Sequence, residues 1–293
     1  MADPGFIDAG STTHFSFEFN NTLDATKSQT LANALLATCE RDYNAIASWF
    51  DGLTPAGVPF VVQVGPLRKD RAGSNDQKSN ITIDLGATDD FPLAREVLVA
   101  ELIEIFMPAQ NKGWRAGQSH GEGLSQAAGF FLYPEEATGL DGVKVWLGAR
   151  DLSGSFRPNF VGKTDNTDGN KFSYGCALLF IYYLHSQLGF SIRGIVSAAA
   201  DTLENVYTNL TQDHNGFVPF SALLLTKFPL GDASAEKGSE NPFPLPSPAV
   251  LSARRFLARH PRNGQTVRQI IASKNIGNFR ALLNSDRVAS LVA

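Results

Sequence analysis

Residues 93 to 106, Leu-Ala-Arg-Glu-Val-Leu-Val-Ala-Glu-Leu-Ile-Glu-Ile-Phe, decide how this chain folds. The stretch holds no glycine or proline and sets apolar side chains at almost every angle around a 3.6-residue turn. It therefore predicts a helix buried on most sides. Asp89-Asp90 followed by Pro92 gives that helix a capping carboxylate and a first-turn proline, and Pro108 is expected to stop it. Yet its second half carries Glu101 and Glu104. A carboxylate rarely sits in a core unless something pairs with it, protonates it or binds through it.

A second polar element follows. Ser119-His120-Gly121-Glu122-Gly123-Leu124-Ser125-Gln126 reads as a glycine-flanked helix start, with the helix running over 122–133 to Pro134. Two carboxylates inside one buried helix and a third on the next have the layout of a buried polar site.

Working outward, residues 14–19 alternate with period two and predict a strand. Residues 27–50 carry one long helical pattern through Leu31, Leu35, Cys39, Tyr43, Ile46 and Phe50. Strands are predicted over 59–64 and 80–85, separated by a polar loop over 69–79. Residues 139–167 read as loop, and three helices are expected over 174–188, 191–210 and 219–227. Asn241-Pro-Phe-Pro-Leu-Pro-Ser-Pro248 is a proline-dense linker, extended by composition. The order implies an α+β fold: a small N-terminal sheet packed on the central helix (1–110), a helical lobe of the same unit (111–235), then the linker and a small basic helical tail (236–293).

Composition fits a globular chain: 293 residues, 43% hydrophobic and 18% charged, enough to bury a full core. The net charge of −4 hides an asymmetry. From Leu251 onward eight Lys/Arg face Asp286 alone, a net of +7, so the first 250 residues carry −11. The tail's arginines are scattered among apolar positions without forming a run, which argues for docking on an acidic body and against nucleic-acid binding. Cys39 and Cys176 belong to no CxxC pair and read as buried free thiols. Met1–Gly5 shows no signal peptide, and no apolar run reaches the roughly 18 residues of a membrane span, so a soluble protein is expected.

The two acidic segments resemble zinc metallopeptidases of the zincin type, in the glutamate-ligand branch that includes thermolysin and the aminopeptidases. In that family a small twisted sheet packs on a helix bearing His-Glu-x-x-His, and a glutamate from a following helix completes the zinc site. Ala100-Glu101-Leu102-Ile103-Glu104 takes the place of the first motif, and Gly121-Glu122-Gly123-Leu124 that of the second. Glu122 lies 18 residues after Glu104. The resemblance covers about His14 to Lys227.

It implies Glu101 as general base, and Glu104, Glu122 and His120 as the metal-ligand candidates. Both histidine ligands are missing, since Ala100 cannot bind metal and Glu104 replaces an imidazole. An oxygen-rich set suits Mn²⁺ or Ca²⁺ better than Zn²⁺, and absence of a metal is the more economical expectation.

The implied function is a catalytically degenerate pseudopeptidase whose cleft holds a peptide, glycan or protein partner. The alternative is a divergent metal-dependent peptidase with Glu101 as base. A metal-free hydrolase using Glu101 and Glu104 as a proton-sharing pair is weaker, because residues three apart on one helix sit too close to flank a scissile bond. The plain structural reading pairs the two glutamates with loop amides or with Arg115 or Arg150. Trp114 packs under its loop on this reading, His185 is a satisfied core histidine, and Tyr174 reaches the cleft by resemblance alone.

Overall fold

The computed structural model describes residues 5–22, 25–65, 72–84, 91–133, 141–167, 169–228 and 230. The fold is α+β, a small mixed sheet with helices packed against it and beyond it.

Five strands form the sheet: β1 (Phe6–Ser11), β2 (Phe15–Asn20), β3 (Phe60–Val64), β4 (Gly73–Asn75) and β5 (Asn80–Ile83). They lie in the order β1-β2-β3-β5-β4. β2, β3 and β5 are parallel, while β1 and β4 run antiparallel at the two edges. Period-two alternation gives the central strands one shared apolar face. Phe17, Val62 and Ile81 lie in one row across the sheet, and Phe19, Val64 and Ile83 in the next. All six are buried, each contributing about 1.5–3 kcal/mol of apolar transfer.

On the helical side stand α1 (Ala25–Leu36), α2 (Cys39–Trp49) and α3 (Phe91–Gln110), followed by α4 (Ser119–Leu132) and α5 (Asp141–Gly148). After them come α6 (Lys171–Tyr182), α7 (Ile192–Ser197), α8 (Leu203–Thr211) and α9 (Phe217–Lys227). α3 is the central helix. Ala94, Leu98, Val99, Leu102, Ile103 and Phe106 are fully buried, and α3 packs on both the sheet and α4, with α4 in turn packing on α6.

Several elements differ from the sequence expectation. The single helix over 27–50 is two, although Leu31, Leu35, Cys39, Tyr43, Ile46 and Phe50 are all buried as its periodicity requires. At the break Thr38 Oγ1 donates to the Leu35 carbonyl at 3.3 Å and Cys39 Sγ to that of Leu36, side-chain bonds that compete with helical continuation.

Pro108 does not stop α3. It lies in the last turn, and the helix ends at Gln110, followed by Asn111 in the left-handed conformation (φ 52°). The loop expected over 139–167 contains α5, whose buried Trp146 stacks on Phe220 at 5.7 Å. β1 and β4 are strands that alternation did not mark. The helix over 174–188 continues past α6 as a π turn, Tyr183–Gln187, and the one over 191–210 is split into α7 and α8. The Asp89-Asp90 cap, the proline linker and the basic tail lie outside the described residues, and among those described no helix is long and apolar enough to cross a membrane.

Candidate acidic site

α3 is held against β4 closely enough that β4 must begin with glycine. A Cβ on Gly73 would come within 2.3 Å of Val97 Cγ1 and 3.0 Å of Glu101 Oε1. This contact brings Asn75, at the other end of β4, over the polar turn of α3. Asn75 Nδ2 donates to Glu101 Oε2 at 2.6 Å and to Glu104 Oε2 at 3.0 Å. Its orientation is fixed from behind, because Asn75 Oδ1 accepts from the backbone N–H of Gln77 at 2.8 Å, so the amide nitrogen is the end that faces the carboxylates. Asp76 secures the turn in turn, accepting from the N–H groups of Lys78, Ser79 and Asn80. Burial would raise the Asp76 carboxyl, but these donors outweigh it and hold the group below the usual range.

α4 meets this turn of α3 through Ser125. Ser125 Oγ lies 3.3 Å from Glu104 Oε1 and 3.0 Å from the Glu122 carbonyl, one hydroxyl proton serving both acceptors. Gln126 Nε2 donates to Glu122 Oε1 at 2.5 Å. The glycines on either side of Glu122 are there for packing. A Cβ on Gly121 would lie 1.9 Å from the Arg115 carbonyl, and one on Gly123 2.6 Å from Ala177 Cβ. Tyr174, at the start of α6, lies within electrostatic reach of Glu122. Burial, then the negative charges of Glu122 and Asp141, push its hydroxyl up to about 12.

Glu101, Glu104 and Glu122 are all half-buried; Ser125 ties α4 to Glu104 of α3, while the Glu122 carboxylate accepts from Gln126, one turn on along α4. Their neutral neighbours Asn75, Ser125 and Gln126 were not singled out by sequence. Asn75 fell in the expected polar loop, and the Ser-Asn-Asp-Gln-Lys-Ser-Asn run around it is the signal for the β4–β5 turn.

His120 is placed elsewhere. It is 1% exposed, its Nε2 lies 3.1 Å from the Gly113 carbonyl, and its ring stacks on Trp114. Burial, opposed by that carbonyl and aided by the charge of Arg115, lowers its pKa. Two positions from Glu122 on one helix, it points to the far side. Among the described residues no three His, Cys, Asp or Glu side chains are grouped to hold a metal.

Arg115 is exposed, and Arg150 donates to the Gly154 carbonyl at 2.6 Å. Trp114 packs under its loop, its Nε1 donating to the Val196 carbonyl at 3.1 Å. His185 is satisfied by the Phe190 carbonyl at 2.8 Å. An open polar groove runs along Gln77, Pro108, Asn111, Gly113, Arg115 and Gln118.

A zinc ion does not fit this donor set. Ala100 offers no ligand, and the amide nitrogens of Asn75 and Gln126 already face the carboxylates that would bind one. No hydrolytic step through a metal follows from these residues.

A second polar cluster lies near the start of α3. Tyr133 donates to the buried Asp42, Arg41 Nη2 donates to Tyr133 Oη at 2.6 Å, and the Arg95 guanidinium lies 3.5 Å over the Tyr133 ring. Burial raises the Asp42 carboxyl, with Tyr133 and Arg41 pulling it back, while burial and Asp42 push Tyr133 up to about 12. No family model matches the chain, and neither a curated protein nor a solved structure is similar to it.

Proposed function

We propose that this chain is a zincin-like scaffold without the zinc-binding histidines, and that the acidic face around Glu101 and Glu104 binds an extended peptide carrying a basic side chain. The observation that carries this reading is the Asn75 amide bridging Glu101 and Glu104. The bridge is neutral and adds no cation of its own, so a basic side chain arriving beside it meets two acidic groups able to accept charge-assisted hydrogen bonds.

Two further features support it. β4 is an edge strand, and an edge offers main-chain donors and acceptors to an added strand. The charge of −11 over the first 250 residues steers cationic ligands inward. A glycan is less favoured, because Trp114, on the groove that includes Gln77, is only 2% exposed and cannot stack on a sugar. The zincin reading is supported by the element order and by the positions of Glu101, Glu104 and Glu122 along the sequence.

Fluorescence polarisation with extended peptides, with and without Lys or Arg, tests the binding role. Glu104→Gln should weaken the basic peptides roughly tenfold, the worth of one charge-assisted hydrogen bond. Binding indifferent to peptide charge overturns the reading. Elemental analysis tests the alternative: stoichiometric metal lost on Glu122→Ala would replace the binding role with a metal-dependent hydrolase using Glu101 as base.

A further inference from the structure

Helix α9 is apolar on two sides. Phe220 and Leu224 are buried against the fold. Val218, Ala222 and Leu225, spaced i, i+4, i+7, form a second row that faces outward, with Val218 65% and Leu225 54% exposed. Leu230, just past the helix, is 60% exposed. A single exposed leucine needs no explanation, but a continuous row marks a contact surface.

What can cover it starts at its own end. Sixty-three residues of the chain follow Leu230. The nineteen between Leu230 and Val250, rich in proline, span up to about 60 Å if extended, whereas α9 with its 11 residues is only about 16 Å long. Any segment from Val250 onward therefore reaches the row, at the high effective concentration of a tethered ligand.

The sequence there has the matching pattern. Val250, Ala253, Phe256 and Leu257 fall on one side of a helical period and Arg255 and Arg259 on the other, with Leu251 beside the arginines and Pro261 ending the period before Arg262. The first 250 residues carry a net charge of −11 against +7 from Leu251 onward, so the charge of the body complements the arginines. We infer that the Val218–Ala222–Leu225 row is the docking surface for residues 250–262 of the same chain. This holds whatever ligand the acidic face takes.

Thiol labelling of the full-length chain tests it. Cys39 and Cys176 are buried, so Leu225→Cys introduces the one accessible thiol among the described residues. That thiol should react slowly in the otherwise native chain, and at least tenfold faster when Phe256→Asp and Leu257→Asp are added, with an unchanged circular dichroism spectrum. Equal rates overturn the proposal. So does protection that appears only as protein concentration rises, which would assign the row to a second copy. Hydrogen exchange gives the reciprocal check: Val218→Asp should speed exchange of the 250–262 amides at least tenfold, and no change would count against docking.

Discussion

Asn75 and Glu101 join the edge of the sheet to the buried helix: the Asn75 amide nitrogen lies 2.6 Å from Glu101 and reaches Glu104 at 3.0 Å. One neutral side chain therefore keeps two carboxylates on adjacent turns compatible. Asn75→Ala should cost about 1–2 kcal/mol in denaturant unfolding, since it removes a hydrogen bond to each of two half-buried carboxylates. Asn75→Asp should cost more at pH 7 than at pH 4, because it sets a third like charge beside the pair and acid relieves the repulsion. An Asn75→Asp variant as stable as the native chain at pH 7 would show that the bridge does not hold these groups.

Why was part of this legible in the sequence and part not? The buried helix announced itself through apolar residues at every angle, and its two glutamates stood out because nothing local explained them. The parallel core strands were equally plain, since Phe17, Val62 and Ile81 sit in alternating runs. β4 was missed because three residues, Gly73-Ser74-Asn75, carry no apolar period. It is a strand because β5 pairs with it and Asp76 closes the turn. The break between α1 and α2 was invisible for the opposite reason: the apolar spacing continues through Thr38 although the helix does not. His120 was attractive because it sits beside Glu122 in sequence, but on a helix two residues apart face opposite ways.

The glycines flanking Glu122 give a prediction about packing. Gly123→Ala drives a methyl group toward Ala177 and the α6 backbone, and Gly121→Ala drives one into the Arg115 carbonyl. Each should destabilise by about 1–3 kcal/mol, the ordinary cost of overpacking, and each should disturb ligand binding at the acidic face by shifting α4. Chemical denaturation of the two variants measures it; an unchanged midpoint for Gly123→Ala would mean that α4 and α6 do not approach this closely.

Asp42 gives a pH dependence whose sign can be worked out. Burial, against the opposing bonds to Tyr133 and Arg41, raises its carboxyl above the ordinary 3.8. A group raised in the folded state contributes stability that is fully present below its unfolded value and is lost as pH rises through the folded one. Asp42→Asn keeps an oxygen to accept the Tyr133 hydroxyl but cannot ionise. The stability of the native chain relative to this variant should therefore fall as pH rises from below 4 toward neutrality. A difference that stays flat, or grows with pH, would contradict a raised Asp42.

Tyr174 reports on where Glu122 points. After burial, the charge of Glu122 is the next cause that pushes its hydroxyl up to about 12. Glu122→Gln removes that charge and leaves the burial, so the Tyr174 pKa should move down toward 10. Carbon-13 titration of the tyrosine ring follows it site by site. If Glu122→Gln leaves Tyr174 where it was, Glu122 does not face Tyr174.

The scaffold reading yields the most demanding prediction. Ala100 and Glu104 stand one helical turn apart on α3, with Glu101 between them and Glu122 on the packed helix. If the chain is zincin-like, Ala100→His with Glu104→His should supply the two missing imidazoles. The double variant should then bind zinc at one equivalent, with Glu122 as third ligand. The second substitution also removes one of the two carboxylates that Asn75 bridges, freeing that face for a cation. Adding Glu122→Ala should abolish the uptake, which separates a three-ligand site from casual binding by the introduced histidines. Elemental analysis after dialysis reads the result, with circular dichroism to show that each variant folds. A folded double variant that takes up no zinc would mean that α3 and α4 do not stand as the two zinc-binding helices of that family do.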